Sequence, residues 1–283
     1  MVHKTTYVST LALRDKSVSE IIEIALQEGF ALEFTSSMSF DKCLTKQFIE
    51  APVIRMPHNY FPVPETPFVL NLASTNDQIR QTSIQHCLDG LALVKETGGP
   101  FFAAHAGFCI DPNPTELGKK LSQEQTFNAA VNWDVFINSV QTIVQRAEEL
   151  ETVFLIENNV VAQMNIREDG SHPLFCGNPE EMLRLIKTID HPRLGILLDT
   201  AHLKVSANTL GFDLDKAVAQ LVNIVQGLHH SDNDGRFDTN EPLTNNYWFL
   251  KHLHKFEVPQ VIEVKDLSVA EIHQHLTLLN QQL

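Results

Sequence analysis

The chain has 283 residues, 43% hydrophobic and 20% charged, which is enough apolar material for a sizeable core and excludes a disordered or low-complexity chain. With 21 Lys and Arg against 35 Asp and Glu it carries a formal charge of −14, a field that repels polyanions. Its most basic neighbourhoods, Lys119-Lys120 and Lys251 to Lys255, are short and read as solvated surface, so nucleic acid is not an expected partner.

In chain order, short apolar runs alternate with amphipathic stretches, the pattern of parallel strands joined by crossover helices. The expected strands are Thr6–Leu11, Ala31–Thr35, Val53–Pro57, Phe101–His105, Val153–Glu157, Leu194–Asp199, Val225–His230 and Gln260–Val264. Helical patterns cover Ser17–Gln27, Asn76–Thr97, Asn132–Glu149, Pro179–Ile189, Asp213–Val222 and Ser268–Leu279, with a short second helix fitted between Phe40 and Ile49. Ser17-Val18-Ser19-Glu20 has the form of a capping box, and Asn178-Pro179-Glu180-Glu181 sets a cap residue before proline and first-turn acids. Eight such units predict an α/β chain, a (β/α)8 TIM barrel, with residues 1–283 as one domain.

Long connections after the third, fourth and fifth strands (Asn59–Thr75, Ala106–Ser122 and Asn158–Asn178) belong on the C-terminal face of such a barrel, where active sites are built. The polar Met1–Tyr7 segment lacks a signal-peptide pattern and no apolar run is long enough for a membrane span. Cys43, Cys87, Cys109 and Cys176 form no CxxC pair. The expectation is therefore a cytoplasmic protein with reduced thiols and no membrane partner.

Four consecutive strand candidates end in metal-competent side chains: Ile156-Glu157, Leu198-Asp199, Leu228-His229 and Ile262-Glu263. Singly, each is the ordinary first solvated position of a strand. Together, barrel closure brings them to one arc of the mouth, where three carboxylates without a cation are costly. Three oxygens and one imidazole suit Mn, Mg, Zn or Co, and the absence of thiolate argues against a structural zinc site. The chain shows no P-loop, GxSxG or HExxH pattern.

The stretches FLIENN (Phe154–Asn159), LLDTAH (Leu197–His202), LHHSDNDGR (Leu228–Arg236) and QVIEVKD (Gln260–Asp266) resemble those of the xylose isomerase-like TIM barrels, a superfamily of sugar phosphate isomerases and epimerases that also includes inosose dehydratase and endonuclease IV. The resemblance implies that Glu157, Asp199, His229 and Glu263 bind a divalent metal, with Glu157 and Glu263 also moving protons. His202 is implied as a contact to substrate or metal and Arg236 as a contact to substrate oxygen or phosphate, and the oligomers of such barrels imply a homo-oligomer.

MPHNYF (Met56–Phe61) and FAAHAG (Phe102–Gly107) resemble strand ends of endonuclease IV, where His58 and His105 correspond to ligands of a second metal; the alternative is that both contact a sugar. Asp238-Thr239-Asn240 carries Asn where a third metal of that enzyme would need His. The leading expectation is a metal-dependent isomerase or epimerase of a small sugar, ketose or sugar phosphate. The rivals are an endonuclease IV-like phosphoesterase and an inosose dehydratase-like lyase.

Overall fold

A computed structural model describes residues 4–35 and 38–280. Its strands are β1 (Thr6–Ser9), β2 (Ala31–Phe34), β3 (Arg55–Pro57), β4 (Phe102–His105), β5 (Phe154–Glu157), β6 (Leu194–Asp199), β7 (Val225–His230) and β8 (Gln260–Ile262). All pairings are parallel, in the order β3-β2-β1-β8-β7-β6-β5-β4, so the sheet curls until its two ends nearly meet. Just past β3, the Asn59 N–H donates to Ala103 O at 2.8 Å and links those ends. The architecture is the expected (β/α)8 TIM barrel.

Every expected strand is present, with the bounds of β6 and β7 as expected and the others one or two residues shorter. Where the expected first strand continued to Leu11, the chain instead turns into a 3-10 helix at Thr10–Leu13, led by Ser9, whose side chain accepts from the Leu11 N–H.

Outside the barrel lie α1 (Val18–Glu28), α2 (Leu44–Glu50), α3 (Asp77–Thr97), α4 (Ala129–Leu150), α5 (Pro179–Ile189), α6 (Thr200–Leu210), α7 (Leu214–Leu221) and α8 (Val269–Asn280). The capping box forms: Ser17 N–H donates to Glu20 Oε2 at 2.8 Å, and Glu20 N–H to Ser17 Oγ at 3.4 Å. At the start of α5, the Asn178 side-chain Oδ1 accepts from Glu181 N–H at 3.0 Å. Two features differ from expectation. The helix α6 begins directly at the end of β6, and the connection after β7 holds only a 3-10 segment, Leu250–Lys255, before β8.

Side chains on a strand alternate between its faces, which splits the interior into two regions. Outward-facing residues such as Phe34, Phe102, Phe154, Ile196 and Leu228 are fully buried against the helices, and each contributes roughly 1.5–3 kcal/mol of hydrophobic stabilisation. Inward-facing Tyr7, Ala31, Met56, Ala103, Leu155, Leu197 and Val261, with Phe101, form a separate apolar plug. Gly227 occupies the matching place on β7, where a Cβ would stand 2.8 Å from the Phe101 ring. Two residues beyond each plug position comes a polar side chain: Ser9, Glu33, His58, His105, Glu157, Asp199, His229 and Glu263. The plug therefore carries a ring of polar groups at the C-terminal mouth.

Candidate metal centre

Local structure sets the direction of each ring member. Asp199 ends β6 and is also the N-cap of α6, its Oδ1 accepting from His202 N–H at 2.7 Å. Aspartate is among the preferred caps because it satisfies an otherwise unpaired helix donor. A reciprocal pair fixes the backbone there: Asp199 N–H donates to Asn158 Oδ1 at 2.8 Å, and Asn158 Nδ2 donates to Asp199 O at 3.1 Å. The DTAH stretch thus places Asp199 and, one helical turn on, His202 at the same mouth.

Glu157 is the hub. Its Oε2 lies 2.9 Å from His58 Nε2 and 3.6 Å from His105 Nδ1, and its Oε1 lies 3.6 Å from His202 Nδ1 and 3.9 Å from His229 Nδ1. Burial pushes its carboxyl up, but His105 and His58 outweigh that and hold it well below the ordinary range. Glu263, whose Oε2 is 3.0 Å from His229 Nδ1, is likewise held down against burial, chiefly by His229. Burial opposes charge on His229 and His202 too; the surrounding carboxylates prevail and raise both well above the usual imidazole value. His58 is raised in the same way by Glu33 and Glu157 against its burial. Asp199 goes the other way, pushed up to about 7 by burial despite His202, with Glu263, Asp238 and Glu157 adding repulsion.

Glu157, Asp199, His229 and Glu263 present ligand atoms within 4.8 Å of one another, as do His105, Glu157 and His202, and also Glu33, His58, His229 and Glu263. The donor chemistry fits a divalent cation. In and beside the ring, the buried Glu33 Oε1, Asp199 Oδ2, Asp238 Oδ1 and His105 Nδ1 have no hydrogen-bond partner among the described residues. Unpaired buried oxygens of carboxylates are expensive unless something positive meets them.

Of the residues expected at the site, His105 and His202 also line a cavity of about 320 Å³ that opens beside the ring. Its walls come from the loops after β3, β4 and β5, including Tyr60, Phe108, Leu121, Met164 and Leu174. His58 lies beneath, 3% exposed, and does not line the cavity. Arg236 stands apart: it is exposed, its backbone N–H donates to Asp234 Oδ1, and it lines no part of this cavity.

Two members lie outside the expected set. Asp238 meets His202 Nε2 at 3.2 Å, and Glu33 meets His229 Nε2 at 2.9 Å. The signal for Glu33 was a charged residue inside ALEF, a run whose neighbours are all fit for a buried strand. His230, next to the expected ligand, points the other way, into bonds with Tyr247 and Gln260.

The family model of the xylose isomerase-like TIM barrel matches residues 25–276. The chain belongs to that family. Among solved structures, this xylose isomerase-like barrel is similar to a D-tagatose 3-epimerase-like protein, with a TM-score of 0.73, 21% identity, and coverage of 98% of this chain and 99% of the other. It is also similar to an AP endonuclease, family 2, from Brucella melitensis, with a TM-score of 0.67, 13% identity and 98% of both chains covered. At these identities the likeness concerns the fold. A curated relative, the probable endonuclease 4 of Aquifex aeolicus (strain VF5), is 23% identical over 196 residues, which are 64% of this xylose isomerase-like chain and 60% of the relative. The match thus spans about three-fifths of that relative's length. Among the described residues, no helix is long and apolar enough to cross a membrane.

Proposed function

We propose that this barrel is a divalent-metal-dependent isomerase or epimerase of a small sugar, ketose or sugar phosphate. The observation that carries the reading is the placement of two carboxyl groups, Glu157 and Glu263, in one ring with Asp199 and His229, beside a cavity of about 320 Å³. That volume is at the small end of ligand pockets and suits a small molecule better than a polymer.

Glu157, Asp199, His229 and Glu263 would hold the ion. A divalent ion there would supply Lewis acidity toward a carbonyl and its neighbouring hydroxyl. The carboxylates of Glu157 and Glu263, both held down by adjacent imidazoles, are ionised at neutral pH and able to accept a proton from carbon. Acting from opposite sides of that carbon, one removes the proton and the other returns one. His105 and His202, which line the cavity, orient substrate oxygens, and the loops after β3, β4 and β5 keep water out. Arg236 enters this reading only as a contact to a distal substrate oxygen or phosphate.

A second reading is favoured by one observation: the His105–Glu157–His202 group shares Glu157 with the first set, as a two-ion phosphoesterase would require. The formal charge of −14 opposes a DNA substrate.

The test is a screen of ketoses, sugar phosphates and inososes with Mn, Mg, Co and Zn, read by deuterium uptake from solvent at the substrate carbon. Uptake with one bound ion per chain is the expected result. Phosphodiester cleavage with two ions and no uptake on any sugar would replace the first reading by the second.

A further inference from the structure

We infer that Glu33 is a positioning residue: it fixes the tautomer of His229 so that Nδ1 keeps its lone pair for the ion. The inference rests on the metal reading above and adds to it a residue that the sequence resemblance does not assign.

Glu33 sits in the third position of β2 and is fully buried. Its Oε2 is 2.9 Å from His229 Nε2. The other ring nitrogen, Nδ1, faces Glu263 Oε2 at 3.0 Å and Glu157 Oε1 at 3.9 Å. A neutral imidazole has one N–H and one lone pair, and the hydrogen bond at one nitrogen decides which nitrogen is left for a metal. Here the nitrogen toward the two ligand carboxylates is Nδ1, and the nitrogen toward Glu33 is Nε2. Without an ion both nitrogens face carboxylates and the ring is held protonated. With an ion in place of the Nδ1 proton, the carboxylate behind Nε2 would keep that nitrogen the donor, leave the Nδ1 lone pair to the ion and increase its basicity.

The same carboxylate also faces a second ring, at ion-pair and not hydrogen-bond distance. Glu33 Oε1 lies 3.8 Å from His58 Nδ1, and the rings of His58 and His229 stand edge to face at 4.6 Å. His58 in turn bonds Glu157 through Nε2 at 2.9 Å. Glu33 thus lies behind two imidazoles whose other faces turn to the hub. A side chain needed only to fill the barrel would be apolar, as its plug neighbours are, because a buried carboxylate is costly. Direct coordination by Glu33 is the competing role, since it belongs to one of the groups of ligand atoms within 4.8 Å. Its contact on the ring edge away from Glu157 favours positioning.

The test uses the full chain. Cobalt(II) affinity and absorption are measured for the wild type, Glu33→Ala and Glu33→Gln, together with melting of the metal-free forms. Removing such an outer carboxylate is expected to weaken cobalt binding about 10–100-fold at unchanged stoichiometry. Glu33→Gln, whose amide oxygen still accepts the Nε2 proton, is expected to lose markedly less. In the zinc-loaded wild type, the nitrogen shifts of His229 are expected to show Nδ1 ligated and Nε2 protonated, a readout that does not depend on any variant folding. Ligation through Nε2 overturns the inference. So does a Glu33→Ala protein that binds cobalt as the wild type does, or a Glu33→Gln protein that loses as much as Glu33→Ala. A wild type that takes up neither metal overturns the metal reading itself, whereas binding by the wild type with indifferent variants overturns the inference alone.

Discussion

Exchange of Glu157 for Gln removes the one charge that four imidazoles share. His58, His105, His202 and His229 lie 2.9, 3.6, 3.6 and 3.9 Å from its oxygens. At pH 6 His58, His202 and His229 are held protonated, because neighbouring carboxylates raise each of them against burial. Taking one partner from a buried ion pair costs about 3–5 kcal/mol. Glu33, Glu263 and Asp238 remain as counter-charges at 2.9 to 3.2 Å from His229 and His202, which places the expected loss near the lower end, about 3 kcal/mol. At roughly 2–4 °C per kcal/mol for a domain of this size class, melting should fall by about 6–12 °C. The assay is scanning calorimetry of the metal-free protein at pH 6 in the presence of a chelator. An unchanged or raised melting temperature would mean that the histidines are not held as counter-charges, and the electrostatic account of the ring would fail.

Three further outcomes follow from the same structure. The pKa values of His202 and His229 are raised, so the stability they add to the metal-free protein is fully present below about pH 6.5, their unfolded value, and is lost as pH rises through their folded values. Asp199, pushed up to about 7, acts in the same direction between its unfolded value and that pH. Melting of the metal-free protein should therefore decline on the alkaline side of neutrality, and saturating Mn(II) should reverse the decline; a metal-free melting temperature that rises steadily to pH 9 would contradict this. Gly90→Ala should destabilise by about 1–3 kcal/mol by denaturant unfolding despite the better helix propensity of alanine, since the new Cβ would stand 2.3 Å from the Phe102 ring. Asn71→Leu should cost about 3 kcal/mol or more and speed proteolysis of the loop at 106–128: the buried amide donates to Ile110 O and Asp111 Oδ1 at 2.8 Å each, and accepts from Phe108 N–H at 2.8 Å and Ala73 N–H at 3.1 Å.

Most strands were legible because they are buried on both faces and read as short, largely apolar runs, set apart from the longer amphipathic helical stretches by their length and their β-branched and aromatic content. The helix α6 was hidden by economy of sequence. Asp199 closes a strand and caps a helix with no loop residue between them, and TAHLKVSANTL has only a shallow apolar stripe because the helix is buried over much of its first two turns. The site was legible at strand ends, where a polar residue follows several apolar ones, and this brought together Glu157, Asp199, His229 and Glu263. Glu33 escaped because it lies within its strand, with Phe34 still to come, so a search of strand ends passes over it. Arg236 was placed at the site by the resemblance alone; its position on an exposed turn depends on loop conformation, for which HHSDNDGR carries no periodic signal.

The two-residue offset between plug and ring has a consequence for how such a protein can change. A ring member can be exchanged with the apolar layer below left in place, its cost confined to the ion pairs and caps it makes within the mouth. Slippage is a different matter: inserting or deleting a single residue between the layers would turn that strand's contribution outward into the helices and draw an aliphatic side chain into the mouth. The spacing that delivers the eight ring positions is therefore under tighter constraint than the identity of any one residue that fills them.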